Sequence, residues 1–155
     1  MGFWKKFKDS IRKHQFFGLA VRRLDLMAQR PSWEDIVVDA MVGLEAIYVG
    51  SSMGEVRYKV SLRASKFLGL EGFVEELGLK VGDLPKMLKE AYDIRSEIVH
   101  GGAATEKAGK FYQKYSMEVA VFLQWCLMES LVRLTKYLAR IDKGLTRTHF
   151  SMAFC

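Results

Sequence analysis

Apolar side chains recur at spacings of three and four along most of this chain, and sustained alternation of apolar and polar positions is missing. Trp4, Phe7 and Ile11 form such a stripe within residues 3 to 13, with Lys and Arg between them, as in a short amphipathic helix. A second segment, Phe17 to Gln29, carries Leu19, Ala20, Leu24 and Met27 on one side and Arg22 and Arg23 on another, and Pro31-Ser32 closes it. Ser32 is a good N-cap for a helix over Trp33 to Tyr48, because Glu34 and Asp35 suit a helix N-terminus. Ile36, Val37, Ala40, Met41, Leu44 and Ile47 make its buried face, and Glu45 lies near that face.

The pattern resumes after Gly50-Ser51-Ser52-Met53-Gly54. Glu55 to Leu68 alternates Val56, Val60, Leu62, Ala64 and Phe67 with Arg57, Lys59, Arg63 and Lys66. Glu71 to Leu77 reads as one or two turns ended by Gly78. Asp83 as N-cap and Pro85 in the first turn start another helix, with Leu84, Met87, Leu88, Ala91, Ile94 and Ile98 on its core stripe. Thr105 is placed to cap a final helix reaching about Ile141. Some 37 residues at a rise of about 1.5 Å would extend roughly 55 Å, and that overhang favours dimerisation. Its middle, Val119 to Met128, is apolar nearly all round, which suits the centre of the bundle or an interface between two copies. The expectation is an all-α, up-and-down helical bundle of four or five main helices over residues 17–142, with a basic amphipathic N-terminal arm (1–16) and a C-terminal tail (143–155).

Composition supports one domain with a real core: 155 residues, half of them hydrophobic. The net charge of +6 is concentrated at the start. Residues 1–30 hold eight Lys/Arg against Asp9 and Asp25, and the remaining residues balance. Attraction to RNA or anionic lipid is therefore sought first in the N-terminal arm, although a membrane partner is not expected. Cys126 and Cys155 form no CxxC pair, no apolar run reaches about 18 residues, and the first residues lack an apolar signal core, so a cytoplasmic protein is expected.

The sharpest chemistry lies in Tyr92-Asp93-Ile94-Arg95-Ser96-Glu97-Ile98-Val99-His100-Gly101-Gly102, at the end of the predicted helix. An Arg and a His supply a fixed cation and a proton shuttle, the requirements of metal-free chemistry on a phosphodiester. Five helical positions separate them by about 140°, whereas Asp93, Ser96 and His100 share a face. Two copies about a two-fold axis would supply the pair jointly. The competing reading is structural: Arg95 pairs with Glu45, Asp93 or Glu97, and His100 bonds a carbonyl at the helix end. His14 and His149 lack matched partners, and neither a metal-ligand cluster nor a phosphate loop is present, so neither metal nor cofactor is expected.

The segment Tyr92 to Gly101 resembles the signature of the HEPN superfamily (higher eukaryotes and prokaryotes nucleotide-binding), most closely its Apea-like branch. The Asp39-x-x-x-x-Leu44-Glu45-Ala46 and Glu55-x-Arg57-Tyr58-x-x-x-x-x-Arg63-Ala64 helices are similar to that branch, and the resemblance spans about residues 17 to 140. It implies a homodimeric, metal-independent endoribonuclease acting on single-stranded RNA, with Arg95 on the scissile phosphate and His100 as general base or acid. Ser96 would orient the site, and Asp93 or Glu45 would hold the imidazole. Arg57, Arg63, Arg22 and Arg23 are the candidate RNA-binding cations. Such a protein would serve as a toxin or stress-defence effector, with a nucleotidyltransferase-type antitoxin as a further protein partner. The alternative is a catalytically silent HEPN module that binds RNA, nucleotide or protein.

Overall fold

A computed structural model describes residues 2–51, 54–70 and 73–141. These residues are helical almost throughout: α1 (Phe3–Lys13), α2 (Gln15–Ala28), α3 (Trp33–Tyr48), α4 (Val56–Leu68), the single turn α5 (Phe73–Glu76), α6 (Leu84–His100), α7 (Ala104–Tyr115) and α8 (Val119–Ile141). No strand occurs among the described residues, and none of their helices is long and apolar enough to cross a membrane.

The centre is α3, which packs against α2, α4, α6 and α8. Its start follows the expected chemistry, with the Ser32 hydroxyl accepting the Asp35 amide at 3.2 Å and two acidic residues in the first turn. Val37, Ala40, Met41, Leu44 and Ile47 are buried as their spacing implies, while Ile36 is only half-buried. Asp39 also lies inside, where Arg23 Nη1 of α2 donates to Oδ1 at 2.8 Å and Arg30 Nε to Oδ2 at 3.0 Å. Both carboxylate oxygens are thereby satisfied, as a buried charge requires. Near the other end, the Tyr48 hydroxyl and the Ser130 hydroxyl of α8 share a buried hydrogen bond of 2.7 Å. Between them α3 and α8 approach so closely that a Cβ on Gly43 would stand 2.8 Å from a Leu127 methyl.

The N-terminal segment forms the expected helix, and it packs on α2 and α8. Phe7 meets Phe17 edge to face at 5.5 Å, Ser10 is buried, and Ile11 contacts the core. Phe3 and Trp4 remain exposed at its first turn.

The expected final helix is two helices. Ser116 takes a left-handed conformation (φ 53°) after α7, its amide donating to the Tyr112 carbonyl, and α8 begins at Val119. A serine in this conformation carries no turn signature comparable to Gly or Pro, so periodicity ran across the break. At 23 residues α8 extends about 35 Å, and the overhang that favoured dimerisation is gone. With this split and a packed α1, more helices join the bundle than the four or five expected. Asp83 does stand at the N-cap of α6 with Pro85 in its first turn, but with helical dihedrals (φ −87°, ψ −24°) at the end of a short 3-10 turn its side chain makes no cap bond, and Thr105 sits inside α7 rather than capping it. Phe150, Met152, Phe154, His149 and Cys155 lie outside the described residues.

Three stability measurements check this packing. Gly43→Ala should cost about 1–3 kcal/mol in urea unfolding, because a buried Leu127 must move. Gly109→Ala, which meets open space on α7, should gain roughly 0.5–1 kcal/mol from helix propensity. Asp39→Ala should cost about 2 kcal/mol in the same assay, since two part-exposed arginines lose their shared acceptor.

Candidate functional site

Arg95 and Glu45 meet where α6 packs on α3. Arg95 Nη2 lies 3.9 Å from Glu45 Oε1, and each side chain is about three-quarters buried, with 23% and 24% exposed. That spacing is an ion pair without a hydrogen bond. Arg95 Nε and Glu45 Oε1 are both shielded from solvent and both lack a hydrogen-bond partner. Burial pushes the Glu45 carboxyl above its ordinary value, against the opposing pull of the Arg95 guanidinium. The guanidinium carbon also stands 5.8 Å from the centre of the Tyr92 ring, one turn earlier on α6. Glu45 borders a cleft of about 470 Å³ whose walls include Leu19, Val42, Ala46 and Val49. The arrangement is thus a cation and a carboxylate held together without being locked, at the edge of a largely apolar cleft.

The end of α6 is built separately. Gly101 takes the left-handed conformation (φ 71°) that ends the helix, and the Gly102 amide donates to the Glu97 carbonyl. A Cβ at Gly102 would overlap the Glu97 carboxylate, which here accepts the Ala103 amide at 3.1 Å and the Lys107 ammonium. Glu97 therefore caps the start of α7, the role expected of Thr105. The Lys107 bond above all, then the Ala103 amide, holds its carboxyl below the ordinary value of 4.5. His100, the last residue of α6, is exposed and bonds no described residue, so the carbonyl contact considered for it is not made. Ser96 is half-buried on the same helix.

The other candidates are mostly engaged in the fold. Asp93 accepts a two-point contact from Arg57 of α4, at 2.7 and 2.6 Å, so neither an imidazole nor RNA has the first claim on these side chains. Antiparallel packing of α4 beside α6, which periodicity alone does not register, puts them face to face. Arg63 donates to the Tyr48 carbonyl at 2.7 Å and covers the end of α3. Arg23 belongs to Asp39, whereas Arg22 is exposed. Structural polar contacts that the sequence did not indicate include Asp39 and also Arg133, whose Nη1 donates to the Phe67 carbonyl in the last turn of α4 and to the Leu70 carbonyl just beyond it. Glu97 had a signal, a carboxylate six residues before the first free amide beyond a Gly-Gly stop. Among the described residues no His, Cys, Asp or Glu group is arranged to hold a metal ion.

The Glu97 contacts carry a pH dependence. A carboxyl depressed in the folded state contributes stability above its unfolded value of about 4.5 and loses it as pH falls through the lower folded value. Wild type should therefore exceed Glu97→Gln in unfolding free energy near neutrality, and the gap should close as the solution is acidified below the ordinary carboxyl value of 4.5. A gap constant with pH would rule the ion contacts out. No family model matches this chain, and no curated protein or solved structure matches it either.

Proposed function

We propose that this chain is a HEPN-like, metal-independent endoribonuclease acting on single-stranded RNA as a homodimer, in a cytoplasmic toxin or stress-defence role. The observation that carries the reading is Arg95, a guanidinium kept three-quarters buried beside Glu45 and not hydrogen-bonded to it, five positions before an exposed His100. A buried arginine with an unsatisfied N–H is ready to exchange its weak carboxylate contact for a phosphate. Arg95 then neutralises the scissile phosphate. His100 withdraws the ribose 2′-hydroxyl proton or protonates the leaving oxygen, and a 2′,3′-cyclic phosphate results. On one helix the two side chains diverge by about 140°, so the complete site takes Arg95 from one copy and His100 from the other. Ser96 orients the substrate. Glu45 holds Arg95 until RNA arrives, a different task from steadying the imidazole.

A second reading rests on the same carboxylate. Glu45 offsets the charge of Arg95, and Asp93 occupies Arg57, which suits a silent HEPN module that binds RNA, nucleotide or a nucleotidyltransferase-type partner without cutting.

Incubation with single-stranded RNA in excess EDTA separates the two. Wild type should cleave, and Arg95→Ala and His100→Ala should each be slower by about 100-fold or more. Mixing the two variants should restore activity, because a mixed dimer rebuilds one intact site. Equal cleavage by all three proteins, or by none, overturns the nuclease; additive loss without rescue on mixing overturns the shared site.

A further inference from the structure

Along the outer face of α8 runs a stripe that the bundle leaves uncovered. Val121, Trp125, Met128 and Val132 are all exposed, Trp125 at 46%, although they belong to a helix whose opposite face is packed into the core. Spacings of four, three and four keep them within one narrow arc, the geometry of a coiled-coil seam. Glu118 precedes the stripe by one turn and Lys136 follows it by one turn; both are exposed, and neither forms an ion pair with a described residue. Four contiguous large apolar side chains on a surface helix are more than the scattered exposure of an ordinary face.

We propose that this face docks α8 of a second copy of the chain, with the two helices antiparallel. The order of residues supplies the argument. Outward from a midpoint between Cys126 and Leu127, Trp125 mirrors Met128, Val121 mirrors Val132, and Glu118 mirrors Lys136 to within one residue. A two-fold contact repeats each residue on both sides, so in this register Trp125 packs on the partner's Met128, and each Glu118 falls beside the partner's Lys136. A parallel pairing would instead set Glu118 against Glu118 and Lys136 against Lys136. The charged ends thus select both the occupant and its direction. Beside Glu118, a groove of about 380 Å³ between α7 and α8, floored by Trp33 and Tyr112, extends the surface.

The contact is distinct from the one that would complete the Arg95–His100 site. Both α6 and α8 pack on α3 and α4, and a contact through the outer face of α8 involves different residues from one through α6. A seam of about 27 Å along one helix is narrower than a standard interface of about 1,600 Å², and the association is accordingly weak and reversible.

Sedimentation equilibrium of the full chain up to about 100 µM tests the pairing. Wild type should self-associate with rising concentration. Glu118→Lys and Lys136→Glu should each weaken association about tenfold or more, and the double reversal should restore it. Trp125→Ala should weaken it as well, with an unchanged helical circular dichroism spectrum and melting midpoint showing that the fold survives. Absence of self-association, indifference to the single reversals, or failure of the double reversal to restore it overturns the proposal. Because RNA cleavage is read separately through Arg95→Ala and His100→Ala, loss of either result leaves the other standing.

Discussion

Four helices pack on α3, and this constraint shapes the rest of the molecule. A helix enclosed by α2, α4, α6 and α8 leaves little solvent-facing surface beyond its first turn on which to place a charge, yet its sequence contains Asp39 and Glu45 in the middle and at the end of that surround. Each carboxylate must be answered by a cation from a neighbouring element, since an unanswered buried charge costs several kcal/mol. The two answers differ. Asp39 receives two arginines, one on each oxygen, at hydrogen-bonding distance. Glu45 receives one arginine at ion-pair distance, with a buried oxygen and a buried N–H left unbonded. The first arrangement is complete and fastens α2 to α3; the second is unfinished and stands where α6 brings the His100 motif.

The end of α6 shows how local chemistry supports that position. Two glycines do different work there: Gly101 supplies the left-handed turn, and Gly102 clears space for the Glu97 carboxylate. Glu97 then grips the start of α7 through Ala103 and Lys107, and the Arg57–Asp93 pair ties the same helix to α4. Arg95 is consequently presented by a helix braced on both flanks, while His100 stays free beyond the last packed turn. Within one chain the guanidinium is thus held in the packing while the imidazole stays in solvent.

Much of this was legible in periodicity. The stripes Val37–Ala40–Met41–Leu44 and Leu84–Met87–Leu88–Ala91–Ile94 are buried as spaced, and Ser32 caps α3 as its chemistry requires. What stayed hidden depends on tertiary neighbours or on unmarked backbone. Ser116 breaks α7 from α8 without Gly or Pro, and Asp83 loses its cap because the preceding turn is already helical. Arg57 and Asp93 are 36 residues apart, and only the packing of α4 on α6 turns two surface charges into a two-point clasp. Of the site, the Arg95–Glu45 pairing had been one of three named partners for Arg95; its missing hydrogen bond is a matter of a single ångström and has no sequence signature.

The basic character of the first 30 residues also changes once contacts are drawn. Of its eight cations, Arg23 and Arg30 serve Asp39 and cannot be counted toward an external partner. Those left exposed include Lys5, Lys8, Arg12 and Arg22. The first of these flank Trp4, which is 71% exposed because Phe7 and Ile11, not Trp4, fasten α1 to the bundle. Cations along a backbone track with an exposed aromatic ring are the combination on which unpaired bases stack without sequence preference. The net charge alone does not mark that place. It emerges from subtracting the arginines that the fold itself consumes, and it leaves the uncommitted positive charge mainly along α1 rather than at Arg57 or Arg63.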